Sequence, residues 1–194
     1  MSIPFHAESE KAFKGVRFDV HAIELPRRSG GKMRREVVVP PNSVVILPLL
    51  QEIAPAGTIS TTQAPNEPRV VLIRNQRFAV GHRLWELPAG TLEPREDPLS
   101  CAARELTEET GYVARHLSRL MEFYPTPGFC SELMTVYRAE DLRLDRQQLD
   151  ETEQITTEVV GLNESLQMIK DNRIRDAKTI ATLLFYAMFE RNQA

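Results

Sequence analysis

Cysteine is scarce in this chain: Cys101 and Cys130 are the only two among 194 residues, and they form no CxxC pair. That excludes a disulfide-stapled secreted scaffold and a thiolate zinc centre. The histidines His6, His21, His82 and His116 are scattered without metal-ligand spacing. Basic residues are in no excess either, with 24 Lys and Arg against 27 Asp and Glu and a net charge of −3. A general nucleic-acid surface, which needs clustered cations against phosphates, is therefore not expected. Long apolar runs are also missing. The most apolar stretch, VVVPPNSVVILPLL, is short and broken by proline, whereas a membrane helix needs about 20 apolar residues. The start, MSIPFHAESEK, carries charges where a signal peptide needs an apolar core. The expectation is a cytoplasmic chain with no membrane or nucleic-acid partner.

What is present suits a globular domain: 42% apolar and 26% charged residues. Residues 1 to about 12 read as a tail. Lys14 to Pro26 alternates apolar and polar residues and Arg35 to Pro40 is β-branched, so the two are expected to be strands joined by a turn at RRSGGK. Ser43 to Leu50 and Pro68 to Phe78 read as stronger strands, separated by a loop rich in Pro, Thr and Ser. The main domain is placed at residues 43–194, with residues 1–42 as a tail and strand extension. LMEFYP, ELMTVYRA and QITTEVVGL read as further strands. NESLQMIKDN and AKTIATLLFYAMFERN have helical spacing, the latter aligning Ile180, Leu183, Leu184 and Ala187. Strands and helices mixed in this order imply an α/β sandwich.

The most informative stretch is GTLEPREDPLSCAARELTEETGY, residues 90–112. Asp97 followed by Pro98 is a helix start, with a capping side chain and a proline where its missing N–H is harmless. Gly111 is the stop. At about 100° per residue, Glu105, Glu108 and Glu109 share one arc while Leu99, Ala103 and Leu106 form an adjacent stripe expected to face the core. Like charges crowded on one helical face destabilise it. They call for a counter-charge, and a hard divalent cation such as Mg²⁺ or Mn²⁺ suits carboxylate oxygen.

The spacing is specific: Gly90, five residues, Glu96, seven residues, Arg104-Glu105-Leu106, one residue, Glu108-Glu109, one residue, Gly111 and Tyr112. This resembles the Nudix box at every fixed position, Tyr112 standing where a smaller aliphatic is usual. The resemblance implies a Nudix-type α/β/α sandwich with a mixed sheet, preceded by an N-terminal antiparallel strand extension. It also implies a Mg²⁺ (or Mn²⁺) enzyme that hydrolyses a nucleoside diphosphate linked to another group. By the same resemblance, Glu105 and Glu109 bind metal, Glu108 assists, Arg104 braces the carboxylates, and the main-chain carbonyl of Ala89 is a further ligand. The lead-in LWELPAG resembles the family's, and Glu86 within it is expected to contact substrate.

Beyond the box, EFYPTPGFCSE puts Pro127 fifteen positions after Tyr112, which resembles the ADP-ribose pyrophosphatase branch of the family. That branch carries an acidic pair on a later loop, matched by Glu151 and Glu153 in DETEQ. Glu151 is then the preferred general base, with Glu108 as the alternative, and Glu153 an extra metal ligand. Gln154 departs from the aspartate usual there. Arg77 resembles the arginine that grips the substrate phosphates, and Arg35 a second contact donated by the partner subunit of a homodimer. Phe13 and Phe18 are candidate platforms for adenine. With ADP-ribose the products would be AMP and ribose 5-phosphate. Two alternatives stand beside this reading: a Nudix pyrophosphatase for GDP-mannose or a dinucleotide, and a non-catalytic nucleotide sensor.

Overall fold

The computed structural model describes residues 9–50, 67–149 and 154–191. Two compact units emerge, one from residues 1–42 and 123–134, the other from residues 43–122 and 135–194.

In the first unit, β1 (Glu10–Lys14), β2 (Asp19–Pro26) and β3 (Lys32–Val39) form an antiparallel sheet in the order β1-β2-β3. Strands β2 and β3 stay in register from Asp19 opposite Val39 to Pro26 opposite Lys32, closed by the expected turn, where Arg27 N–H donates to the Gly31 carbonyl at 3.0 Å. Two expectations are corrected here. The chain is already a strand at Glu10, within the stretch read as tail, and Lys14–Pro26 is broken at residues 15–18 instead of forming one strand. Strand β1 is exposed at every position, so no burial alternation marked it. Thr126 and Cys130 close a turn, with Cys130 N–H donating to the Thr126 carbonyl at 3.0 Å, and Val38 exchanges backbone hydrogen bonds with Phe129 (2.8 Å) and Ser131 (3.1 Å).

The second unit is a mixed sheet clad with helices. Its elements are β4 (Ser43–Leu50), β5 (Arg69–Arg77), β6 (His82–Glu86), β7 (Ala89–Thr91), α1 (Pro98–Thr110), β8 (Tyr112–Phe123), β9 (Met134–Leu144), β10 (Ile155–Gly161), α2 (Leu162–Lys170) and α3 (Ala177–Phe185). A π-helical turn, Tyr186–Glu190, follows α3. The strand order is β10-β5-β4-β9-β8, with β6 also paired to β5 and β7 to β4. Strand β4 is buried from Ser43 to Leu49, the continuous apolar pattern of a strand covered on both faces. Val44 and Ile46 pack with Cys101, Ala102 and Leu106 of α1 and with Tyr137 and Ala139 of β9. Alternation along the strand turns Val45 and Leu47 to the opposite side. Truncating a filled core position such as Leu106 to Ala would cost about 2–5 kcal/mol.

Helix α1 begins and ends as the sequence signals. Asp97 accepts hydrogen bonds from the Leu99 and Ser100 N–H groups, both at 3.1 Å. Gly111, at φ 73°, closes the last turn by donating to the Thr107 carbonyl at 2.9 Å, a left-handed conformation in which a Cβ is strained. Its buried stripe, however, is Cys101, Ala102, Leu106, Glu109 and Thr110, not the expected Leu99, Ala103 and Leu106, since Leu99 is 44% exposed. The i, i+4, i+7 row Ala102–Leu106–Glu109 faces the sheet, which carries Glu109 inward. Helix α3 differs similarly. It buries Lys178, Thr179, Thr182 and Leu183, while Leu184 is 41% exposed; Lys178 and Thr179 find partners inside.

Candidate active site

Two charged clusters flank strand β7 in the second unit. The first is organised by Arg104 of α1. Its Nε and Nη2 donate to the two oxygens of Glu96 at 2.9 and 3.0 Å, and its Nη1 donates to Glu105 at 2.8 Å and to Glu108 at 2.9 Å. Glu96 sits in the loop before α1 and is locked by its own turn, its carboxylate accepting the Glu93 N–H at 2.9 Å. The guanidinium is thus the internal counter-charge that the crowded acids require. The Arg104 hydrogen bond, with burial opposing and the Glu93 N–H assisting, holds the Glu96 carboxyl at about 2. The same bond to Glu96, opposed by burial and reinforced by Glu105 and Glu108, raises Arg104 above its ordinary value. Burial and then the Glu96 charge push the neighbouring Cys101 thiol up to about 12, so it stays protonated and is no nucleophile.

Strand β7 supplies the backbone wall of this cluster. Glu109 is only 2% exposed, and its carboxylate accepts the Ala89 N–H at 2.8 Å. That bond satisfies one oxygen of a carboxylate that α1 turns toward the core. At Gly90 an added Cβ would land on the Glu105 carboxylate, so glycine is needed for the strand to approach the acid so closely. Glu105, Glu108, Glu109 and the Ala89–Gly90 backbone are therefore gathered at one place. Among the described residues, no group of three His, Cys, Asp or Glu side chains is placed so that it could hold a metal ion, and Arg104 stands between Glu105 and Glu108. The donor set is all oxygen, which fits a hard divalent cation.

The second cluster is centred on Glu86 at the end of β6. Its fully buried carboxylate accepts Arg77 Nε at 2.9 Å and Nη2 at 2.7 Å, and Lys178 of α3 bonds the same Oε2. Lys178 Nζ also lies 3.0 Å from Asp176, which caps α3 through the Thr179 N–H at 3.0 Å. Burial would raise the Glu86 carboxyl, but the Arg77 hydrogen bond and the charges of Lys178 and Arg77 outweigh it and hold it below the usual range. The hydrogen bond to Glu86, despite burial, raises Arg77, and Glu109 adds a longer-range contribution.

Residues 53–183 match the NUDIX domain. The chain belongs to the Nudix family. This Nudix hydrolase is 30% identical over 187 residues to "ADP-ribose pyrophosphatase" of Bacillus subtilis (strain 168), covering 95% of this chain and 93% of that one. It is 33% identical to "Methanol dehydrogenase activator" of Bacillus methanolicus, covering 94% and 92%. A solved structure titled "Crystal structure of ADP compounds hydrolase" superimposes with a TM-score of 0.76 at 21% identity, over 97% of this chain and 94% of that one, a likeness of fold. Nudix hydrolases generally use divalent metal ions.

The structure thus brings Arg104, Glu105, Glu108, Glu109 and Ala89 together, with the Arg77–Glu86 pair in the same unit. Arg35 is exposed on β3 and Pro127 is exposed in the Thr126–Cys130 turn, both in the first unit, as are Phe13 and Phe18, 58% and 46% exposed. Glu151 and Glu153 lie outside the described residues. Glu96, Lys178 and Asp176 are engaged in these clusters without being among the expected site residues. Glu96 was visible as a fixed position of the box spacing. Lys178, one lysine in an apolar helix, carried no local signal. No helix among the described residues is long and apolar enough to cross a membrane.

Proposed function

We propose that this Nudix hydrolase cleaves the pyrophosphate bond of ADP-ribose or a related nucleoside diphosphate sugar, releasing AMP and ribose 5-phosphate from ADP-ribose. The observation that carries the chemistry is the array of Glu105, Glu108 and Glu109, held by Arg104 and the Ala89 N–H against the Gly90 backbone. The near full-length similarity to a protein named ADP-ribose pyrophosphatase supports the substrate class.

Mg²⁺ or Mn²⁺ would be held by Glu105, Glu109, the Ala89 carbonyl and Glu153, and when bound supplies Lewis-acid polarisation of the pyrophosphate. The rest falls to the chain. Arg104 keeps three carboxylates in fixed orientations, so little reorganisation remains when substrate arrives. Arg77 offers a planar guanidinium to phosphate oxygen, with Glu86 fixing the plane. Glu151 removes the proton of the attacking water, and Glu108 is the alternative. Pro127 shapes a substrate loop, and Arg35 reaches the substrate of a partner subunit in a homodimer built through residues 1–42, with residues 43–194 as the hydrolase domain. The setting is cytoplasmic.

A panel of ADP-ribose, GDP-mannose, dinucleotides and deoxynucleoside triphosphates, with Mg²⁺ present, tests the reading. The expected outcome is a kcat/KM for ADP-ribose at least about tenfold above that for triphosphates, a difference of roughly 1.4 kcal/mol. Preference for triphosphates would refute it. Light scattering tests the dimer, and a monomer near 22 kDa would remove the case for Arg35 acting in trans.

A further inference from the structure

Lys178 is 6% exposed, and a lysine this buried is rare unless paired. Its ammonium is shared between Glu86 and Asp176. The remaining member of the group, Arg77, is 40% exposed along its side chain. Arg77 directs Nε and Nη2 to Glu86, and among the described residues Nη1 has no hydrogen-bond partner. Were Glu86 bound by Arg77 alone, one buried carboxylate would cancel one guanidinium and leave little field at the exposed edge. Lys178 supplies a second cation to the same Oε2. Arg77 is then held by two hydrogen bonds to a carboxylate whose charge Lys178 also shares, so Glu86 neutralises the guanidinium less completely than it would alone. The anchoring is also mechanical. Asp176 caps α3 and accepts the Thr179 hydroxyl at 2.6 Å, and that hydroxyl in turn accepts the Leu87 N–H at 2.8 Å. Glu86 and Leu87, just before Ala89, are both tied to the first turn of α3.

We propose that Lys178 is a positioning residue for anion binding: by sharing the charge of Glu86 it leaves Arg77 able to bind a phosphate group of the substrate. The proposal rests on the reading of Arg77 as a phosphate contact. Lys178 does not itself touch substrate. It acts through the carboxylate, so its contribution depends on Arg77 being present.

The test is binding of inorganic pyrophosphate by calorimetry in EDTA, which needs no turnover, run beside ADP-ribose hydrolysis. Lys178→Met is expected to weaken pyrophosphate by about tenfold in the wild-type background and to add nothing in an Arg77→Ala background. Because Lys178→Met leaves Glu86 and Asp176 short of a cation and is expected to lower Tm, a second variant separates folding from positioning. In Lys178→Met/Asp176→Asn the Asn retains capping ability and the local charge is rebalanced, so Tm recovers while pyrophosphate binding stays weak. Recovery of binding together with Tm would make Lys178 purely structural and overturn the proposal. So would equal weakening with and without Arg77, or failure of the wild-type protein to bind pyrophosphate. If the wild type binds pyrophosphate as expected but does not hydrolyse ADP-ribose, the substrate reading falls while the Lys178 result still decides its own question.

Discussion

Arg104 grips Glu96 through two parallel hydrogen bonds of 2.9 and 3.0 Å, and this fork is what orients the guanidinium so that its third nitrogen meets both Glu105 and Glu108. Glu96 is thus a strut for the carboxylates rather than one of the acids at the reacting centre. Its folded-state pKa, about 2 against the ordinary 4.5, is depressed. Its contribution to stability is therefore fully present above about pH 4.5 and is lost as pH falls toward 2. In urea melts made in EDTA, Glu96→Gln is expected to lose about 1 kcal/mol at neutral pH, discounted from the full shift for solvent around the loop. The gap from wild type should be constant from pH 7 to 5 and shrink below it. A gap that widens with acid would mean that Glu96 is not the ionised partner.

Gly90 allows a cleaner separation of fold from chemistry. An alanine methyl there would occupy the place of the Glu105 carboxylate, which is the far end of a flexible side chain and can swing aside. Gly90→Ala should therefore keep a Tm close to wild type. Its kcat is expected to fall by about 10², the usual penalty for displacing a catalytic group by about an ångström. Full activity in a folded Gly90→Ala protein would show that the position of Glu105 is not critical.

A third expectation concerns the metal. The oxygen-only donor set predicts no hydrolysis in excess EDTA and recovery with Mg²⁺ or Mn²⁺ but not with a monovalent salt. Glu109→Gln should raise the Mg²⁺ concentration for half-activity by at least about tenfold, since it keeps the Ala89 hydrogen bond but loses the charge. Undiminished turnover in EDTA would refute the metal reading.

How much of this was readable from the chain follows from the range of each interaction. Asp97, Pro98 and Gly111 delimit α1 through contacts within one turn, and those contacts are written in adjacent residues. The Glu96–Arg104 fork spans eight residues and shows in the box spacing. The inward turn of Glu109 did not show, because the group that makes it tolerable is a backbone N–H from Ala89, twenty residues upstream, and backbone groups leave no trace in composition. Lys178 was hidden for the same reason at longer range, its carboxylate lying 92 positions earlier. Strand β1 escaped because an exposed edge strand, with sequence EKAFK, has no buried face to impose a period.

The last prediction decides which acid takes the proton. Gln148 N–H donates to the Glu108 carbonyl at 3.1 Å, and Gln147 Nε2 donates to the Glu109 carbonyl at 2.6 Å. Gln147 and Gln148 are therefore tied to the end of α1 that carries the acids. Glu108 is already engaged by Arg104 at 2.9 Å, so one of its oxygens is occupied by a donor. With Glu108 so engaged, Glu151 is kept as the proposed base. Glu151→Gln should lower kcat by about 10² to 10⁴, roughly 3–5 kcal/mol in the transition state, with metal affinity near wild type. Glu153→Gln should instead shift the Mg²⁺ requirement, with kcat partly regained at saturating metal. Glu108→Gln should act mainly through slackened bracing of Glu105, with a smaller fall in kcat and an unchanged pH profile. If Glu151→Gln retains near-normal kcat while Glu108→Gln collapses and loses the acidic limb of its pH profile, the base belongs to α1, and Arg104 must release Glu108 during turnover.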